Sequence, residues 1–442
     1  MNSVSRRYFL GAMATSAAAL SVRAKAPFKS EKVRVAAFGG DGRAFGDISS
    51  TMRHRDIAEL VAVAEVDEKR TAKVRKAFPK TKIYLNWREL LEKEANNIDA
   101  VVVGTPDHMH APIAMTAMLL DKHAYVEKPL TRTLHECRML TEYAAERRLI
   151  TQMGNQLASG AGNKATAKAL ADGVIGKIVA VHSMCPKSWG SMNPLPKRKD
   201  PVPEGLDWDQ WIGVAKMRPY IKGEFHPGQW RKRIGYGTGT LGDMACHIVH
   251  PWAKGLDAPV PKSVKSVGPA PVDKDSWPLD GRIEYIMGGN SHTDGDFPFT
   301  WYDGKNVPGD EIAELVGGRE NVPRMGSLIV GTEGVITANH GGDAHPKIFR
   351  KAKRTDEKID PPAAADHHGE WLERIRGNVK STVCDFDYAG PMTETVLLGT
   401  VAMRLPKKNL KWNTTKLSFS NSKAANEMVQ EEYREGWEVQ GL

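Results

Sequence analysis

Apolar segments of strand length recur between helical stretches through the first third of the chain, and this alternation narrows the fold more than any other feature. They lie at residues 33–38, 60–64, 98–103, 124–126 and 150–153. A strand that is apolar along its length has no face to give to water. It belongs in a parallel sheet covered by helices on both faces. The alternation predicts an α/β domain over residues 27–153.

The turn after the first strand gives that domain a use. Gly39-Gly40-Asp41-Gly42-Arg43-Ala44-Phe45-Gly46 runs from strand into helix. Glycines there let backbone approach a pyrophosphate, which then sits at a helix N-terminus. Glu65 follows Gly46 by 19 residues, at the end of the second strand. An acid at that point binds ribose hydroxyls and repels a 2′-phosphate, which favours NAD over NADP. Gly39, Gly40, Gly42, Arg43 and Glu65 are therefore candidate cofactor residues. Two registers are open. One is Gly40-x-Gly42-x-x-x-Gly46; the other starts at Gly39 and puts Asp41 and Ala44 where glycines usually stand.

Three further stretches carry chemistry. Gly104-Thr105-Pro106-Asp107-His108-Met109-His110 follows the third strand. Loops at the carboxyl ends of parallel strands line the ligand crevice, so Thr105, Pro106, His108 and His110 are expected beside the cofactor. Asp107 could equally cap the next helix. Glu127-Lys128-Pro129 ends the fourth strand, with Glu127 and Lys128 facing the same crevice. Gly242-Asp243-Met244-Ala245-Cys246-His247 opens a helix, and its i, i+4 spacing puts Asp243 and His247 on one face. His250 lies near that face. An acid beside a histidine raises the imidazole pKa, which suits a proton acceptor for a hydroxyl. Taken singly, such a pair serves as well as a cap and a structural histidine.

Together these stretches resemble the Gfo/Idh/MocA family, whose members include glucose–fructose oxidoreductase and inositol dehydrogenase. The matching residues are 99–106, Glu127-Lys128-Pro129 and 242–247, with 206–213, 386–391 and 433–437 resembling an exported bacterial branch. The resemblance implies a Rossmann domain followed, over residues 154–442, by an α/β domain with an open, mostly antiparallel sheet. It places the catalytic lysine on Lys128 and the Asp/His pair on Asp243 and His247. By analogy it also implies a homo-oligomer. His250 is a departure, since many members carry an aspartate there. In this reading His247 is the acid/base, Asp243 orients it and Lys128 hydrogen-bonds the reacting oxygen.

Residues 1–26 read as a signal peptide. Ser5-Arg6-Arg7-Tyr8-Phe9-Leu10 precedes a short apolar run and the small-x-small site Ala24-Lys25-Ala26. The pattern resembles a twin-arginine signal, so export of a folded, cofactor-loaded protein to the periplasm is expected. Removing the segment leaves 58 basic against 53 acidic residues, a net +5 over 416. That charge is thinly spread, with no block of like charges, and supports no nucleic-acid partner. No run of about 20 apolar residues occurs, so no membrane insertion is expected. The four cysteines, Cys137, Cys185, Cys246 and Cys384, have no metal-like spacing. Buried free thiols are expected, and no metal.

The second half supplies a substrate side. Residues 185–239 form a long irregular stretch with Trp189, Trp208, Trp211 and Trp230. The tryptophans either anchor the loop by burial or stack on a sugar ring. Asn155, Trp230, Arg231 and His250 are candidate substrate contacts. His367-His368 reads as structural or substrate-adjacent. Because free NAD is scarce outside the cytoplasm, an internal cofactor must be restored in place. The expected function is thus an oxidoreductase acting on a secondary hydroxyl of a sugar or polyol, in a redox-neutral cycle. The alternatives are an NAD-dependent glycosidase or lyase working through a transient keto-sugar, and a non-catalytic accessory protein on the same fold.

Overall fold

The computed structural model describes residues 31–341 and 344–442. The proposed signal peptide, residues 1–26, lies outside the described residues. Six strands make the first sheet: β1 (Val33–Phe38), β2 (Ala58–Ala64), β3 (Lys82–Tyr84), β4 (Ala100–Val103), β5 (His123–Glu127) and β6 (Thr151–Gly154). All pairings are parallel, in the order β3-β2-β1-β4-β5-β6. This is the doubly wound Rossmann order, with its switch point between β1 and β4.

Alternate residues of the strands feed two separate cores, which is why these segments are apolar throughout. Val35, Ala37, Val63, Val102 and Tyr125 pack with Ile48 of the Gly42–Thr51 helix. Ala36, Phe38, Ala64, Val101, Val103 and Val126 point the other way, into a larger core with the His110–Leu119 and Leu134–Glu146 helices. The second of these helices starts on a capping box. The Thr133 side chain accepts from the Glu136 amide, and the Glu136 carboxylate accepts from the Thr133 amide.

The second sheet has ten strands. β7 (Ile178–Cys185), β8 (Ser263–Gly268), β9 (Arg282–Met287), β10 (Phe297–Asp303), β11 (Gly326–Gly331), β12 (Val335–Asn339), β13 (Lys347–Arg350), β14 (Lys353–Arg354), β15 (Leu410–Asn413) and β16 (Ser418–Phe419) run in the order β14-β13-β12-β11-β7-β10-β9-β8-β15-β16. β7 and β10 are parallel, and the other described pairs are antiparallel. The sheet is thus open and mostly antiparallel. The Gly239–Gly255 helix crosses it, with Trp252 packed on Phe299 at 4.9 Å between ring centres.

The chain does not leave the first domain for good at Gly154. The His367–Ile375 helix returns and buries Trp371, Leu372 and Ile375 in the core beside Ile48. Among the described residues, no helix is long and apolar enough to cross a membrane, and all four cysteines are buried free thiols.

Candidate active site

A crevice of about 390 Å³ opens at the carboxyl ends of the first sheet, within the roughly 300–1,000 Å³ of small-molecule sites. Gly39, Gly42 and Arg43 line it on one side, Thr105, Pro106 and His110 on another, and Glu65, Glu127 and Lys128 close its ends. Ala44 settles the register of the glycine loop. A Cβ on Gly39 would lie 2.7 Å from the Ala44 Cβ, and one on Gly104 2.8 Å from it. Ala44 thus occupies the close-packing position of a third glycine, counted from Gly39. Asp41, the acid this register puts near a pyrophosphate, is offset by Lys73 at 2.6 Å and Arg70 at 3.4 Å.

Glu65 stands where the sequence put it, but its oxygens are already engaged. Oε2 accepts from the Gly40 amide at 2.8 Å and Oε1 from the Asp67 amide at 3.0 Å. Gly40 therefore holds Glu65 rather than lining the crevice. Glu127 is buried; desolvation and the neighbouring Asp47 carboxylate raise its pKa to about 7. Arg43 pairs with Asp47 at 2.6 Å and lies 3.4 Å from Glu127. The crevice fits a dinucleotide. Bare glycine backbone faces the pyrophosphate position, and the Thr105 hydroxyl is buried there with no hydrogen-bond partner among the described residues.

At the far end of the crevice Lys128 meets Asp243, and His247 stands one helical turn on from that pair. Lys128 Nζ donates to Asp243 Oδ1 at 2.9 Å and to the Asp243 carbonyl at 2.7 Å. Arg231 Nε donates to the same Oδ1 at 3.2 Å, and Trp189 Nε1 to Oδ2 at 3.0 Å. Burial opposes the charge on Asp243, but Lys128 and Arg231 outweigh it and hold the carboxyl far below its usual range. Burial likewise opposes the charge on Lys128, but Asp243 and Glu127 keep it an ammonium. The helix can start here because residue 242 is glycine. A Cβ on it would lie 1.9 Å from the Thr238 hydroxyl, which donates to the buried Asp107 at 2.7 Å. That bond ties the start of the Gly239–Gly255 helix to the loop after β4, which is Asp107's role in place of a helix cap.

The expected Asp243–His247 couple is not what orients the imidazole. Asp243 is fully engaged by Lys128, Arg231 and Trp189, whereas His247 Nδ1 pairs with Asn155 Oδ1. Asn155 Nδ2 donates to the Cys246 carbonyl at 2.9 Å, which turns Oδ1 toward the ring. The Nδ1 nitrogen must then carry the proton, leaving Nε2 as the free base. The raised pKa expected for His247 is also overturned. Desolvation, then Lys128 and His340, push it well below the ordinary value.

Other assignments need correction. His108 is fully buried beneath the crevice, with Nε2 on the Trp211 carbonyl at 3.1 Å, and burial lowers its pKa to about 3. His250 packs away from the crevice, with Nδ1 3.0 Å from the Tyr388 hydroxyl. Asn155 is a positioning residue, buried under His247, and not a surface for substrate. His110 lines the crevice with its ring nitrogens 2.8 Å from the Pro129 and Thr105 carbonyls. Trp230 and Arg231 line the crevice, and the guanidinium lies 4.2 Å over the Trp230 ring. Trp208 and Trp211 stack on each other, 4.7 Å apart at 11°, within a small core of the irregular stretch. His367 and His368 are structural. His367 meets Ser159 and Met153, and His368 stacks on Tyr125 and meets Asp47. Among the described residues no cluster of histidine, cysteine and acid could hold a metal.

The sequence did not disclose that residues 205–231 form a strap across the crevice. The Glu68 amide donates to the Gly205 carbonyl at 2.8 Å, and the Asp207 amide to the Val66 carbonyl at 2.9 Å. His226 Nε2 donates to Asp67 Oδ2 at 2.8 Å. Gln210, Trp211, His226, Pro227 and Gly228 thereby face Glu65 and Arg70 over the ribose end. In the C-terminal segment, the Arg434 amide and Nε donate to the Val214 and Gly213 carbonyls at 2.9 and 3.1 Å.

Comparison with known proteins agrees with this geometry. Residues 33–155 match the family model GFO_IDH_MocA, described as an oxidoreductase family NAD-binding Rossmann fold. Residues 164–287 match the companion model of the same family's C-terminal alpha/beta domain. Among curated relatives, a glycosyl hydrolase family 109 protein of Shewanella sp. (strain ANA-3) is 35% identical over 125 residues, 26% of this chain and 27% of that protein. The levoglucosan dehydrogenase of Pseudarthrobacter phenanthrenivorans is 26% identical over 167 residues, 37% of this chain and 42% of that protein. The chain thus spans about a quarter to two fifths of these relatives' length. Among solved structures, the WlbA dehydrogenase from Bordetella pertussis, in complex with NADH and UDP-GlcNAcA, has a TM-score of 0.59 at 16% identity, covering 88% of this chain and 99% of that one. The UDP-N-acetylglucosamine 3-dehydrogenase GnnA from Acidithiobacillus ferrooxidans has a TM-score of 0.53 at 17% identity, covering 85% and 98%. These two likenesses are of fold. The paired family models fall on the two domains just described and together cover more than half of the chain, so the chain belongs to the Gfo/Idh/MocA oxidoreductase family, with an NAD-binding first domain.

Proposed function

We propose that this chain is an exported, NAD-dependent oxidoreductase that acts on a secondary hydroxyl of a sugar or polyol and keeps its cofactor through a redox-neutral cycle. The observation that carries the reading is the Lys128–Asp243 pair at the inner end of the dinucleotide crevice, with His247 one helical turn on and within electrostatic reach of both. NAD, when bound, supplies a hydride acceptor. The protein supplies the proton acceptor and the alignment. The Lys128 ammonium, held by Asp243, hydrogen-bonds the reacting oxygen. His247 takes the hydroxyl proton at Nε2 while Asn155 holds Nδ1–H. Glu65 at the ribose end disfavours a 2′-phosphate, and so NADP. The strap over that end supports a resident cofactor, as does the twin-arginine-like start of the sequence, which points to periplasmic export after folding. A homo-oligomer built on the open sheet completes the reading.

The relatives named as glycosyl hydrolase family 109 proteins favour a second reading. There the same hydroxyl oxidation acidifies the neighbouring carbon, a glycosidic bond is cleaved, and the ketone is then reduced. One experiment separates the two. Sugars and aryl glycosides are added to the purified protein while the near-ultraviolet absorbance of reduced nicotinamide and aglycone release are followed. Oxidoreduction predicts a transient reduced nucleotide without aglycone release, and the hydrolase reading predicts release without net reduction. In both, His247→Ala lowers turnover by about 10²–10⁴-fold. Unchanged turnover in that variant would refute the assignment.

A further inference from the structure

The inner end of the crevice carries more positive charge than its own residues balance. Lys128 and Arg231 both pair with the single carboxylate of Asp243. A third cation, Lys187, comes from the segment just after β7. Its ammonium lies 3.1 Å from the Met244 sulfur, one residue from Asp243, so its partner is a thioether and not an acid. Lys187 nonetheless acts on the whole cluster: its field helps to ionise Asp243 and disfavours the charged forms of His247 and His340. The two imidazoles lie 5.5 Å apart between ring centres. Burial and these lysines hold both histidines toward the neutral form, which relieves some of the crowding but removes none of the lysine charge. Asp107 is buried and committed to Thr238, and Glu127, its pKa raised to about 7 by burial and Asp47, offers only part of a negative charge near neutral pH. Lys128 and Arg231 thus share one full carboxylate and a partly ionised Glu127 in a dehydrated recess, where uncompensated charge is costly, and Lys187 adds a third cation at its solvent-exposed edge.

We propose that the substrate is an anionic sugar, whose carboxylate, sulfate or phosphate group is received between Lys187 and Arg231 while its reacting hydroxyl meets Lys128 and His247. This rests on the sugar-oxidoreductase reading for its placement and adds the charge class of the substrate. Arg231 is stiffened for the role by its stacking on Trp230 and Trp189, at 4.2 and 5.5 Å to the ring centres. Lys187 is exposed, so it contributes capture and selectivity more than rigidity.

The test is calorimetric titration of the protein as purified, with its nucleotide, using matched sets: glucose and galactose, their uronates, their 6-phosphates and their 6-sulfates. At least one anionic set binds about tenfold or more tightly than its neutral parent, and the preference shrinks with added salt. The three anionic arms identify which group is recognised. Lys187→Gln narrows the preference; as an exposed side chain with no ion pair among the described residues, it leaves folding intact, which a melting curve checks. Neutral parents binding as tightly as every anionic partner, or no anionic sugar binding, overturns the proposal. Following reduced nicotinamide in the same samples separates the two claims. Anions that bind without any nucleotide reduction refute the oxidoreductase reading alone, whereas neutral sugars that reduce nucleotide without an anionic preference refute the charge class alone.

Discussion

Burial and the cations around it make His247 a weaker base than a free imidazole, and this sets where the activity should fail in acid. The sign is that of a base with a depressed pKa: it stays neutral, and competent, until the pH drops below the ordinary histidine value. The acid limb of kcat/KM is therefore expected below about 6.5, with a flat profile through that value. A limb at or above it would mean that another group accepts the proton. The residue types were legible because Lys128 and the Asp243–His247 spacing stand in short motifs. Their relations were not. Asp243 and His247 share a helix face, but three donors from elsewhere in the chain engage the carboxylate. Asn155 lies 92 positions from the histidine it orients, and no local pattern discloses such a pair. His108 failed for the same reason. Its loop was placed correctly, but the side chain turns under the loop to bond Trp211.

At the scale of elements, strands wholly buried on both faces could be read directly, because a segment apolar along its whole length leaves no face for water and must be covered on both sides. The strap could not. Residues 205–231 have no periodicity, and their order comes from a local aromatic core of Trp208, Trp211, Tyr220 and Phe225 and from backbone bonds to residues 66–68. The tie between His226 and Asp67 is the one side-chain bond among the described residues that joins the strap to the end of β2. Removing it with His226→Ala is expected to speed nucleotide loss on dialysis by about tenfold, since a charged-group hydrogen bond contributes on the order of 1.5–3 kcal/mol. Secondary structure should be unchanged by circular dichroism. Retention equal to the wild type would show that the strap does not govern release.

For the whole molecule, the sequence suggested a division near residue 153, and the first sheet does end at Gly154. Space is divided differently. The His367–Ile375 helix completes the first domain's core, and the C-terminal segment holds the strap through Arg434. A crevice covered by a strap that the C-terminal segment holds in place suits a cofactor that stays through many turnovers. That is the condition for a redox-neutral cycle in the proposed compartment, poor in free NAD. The most direct check is to denature the purified protein and identify and quantify the nucleotide released. The account predicts NAD or NADH, equimolar with the chain. NADP in its place, or no nucleotide from protein that is otherwise folded and monodisperse, would contradict it.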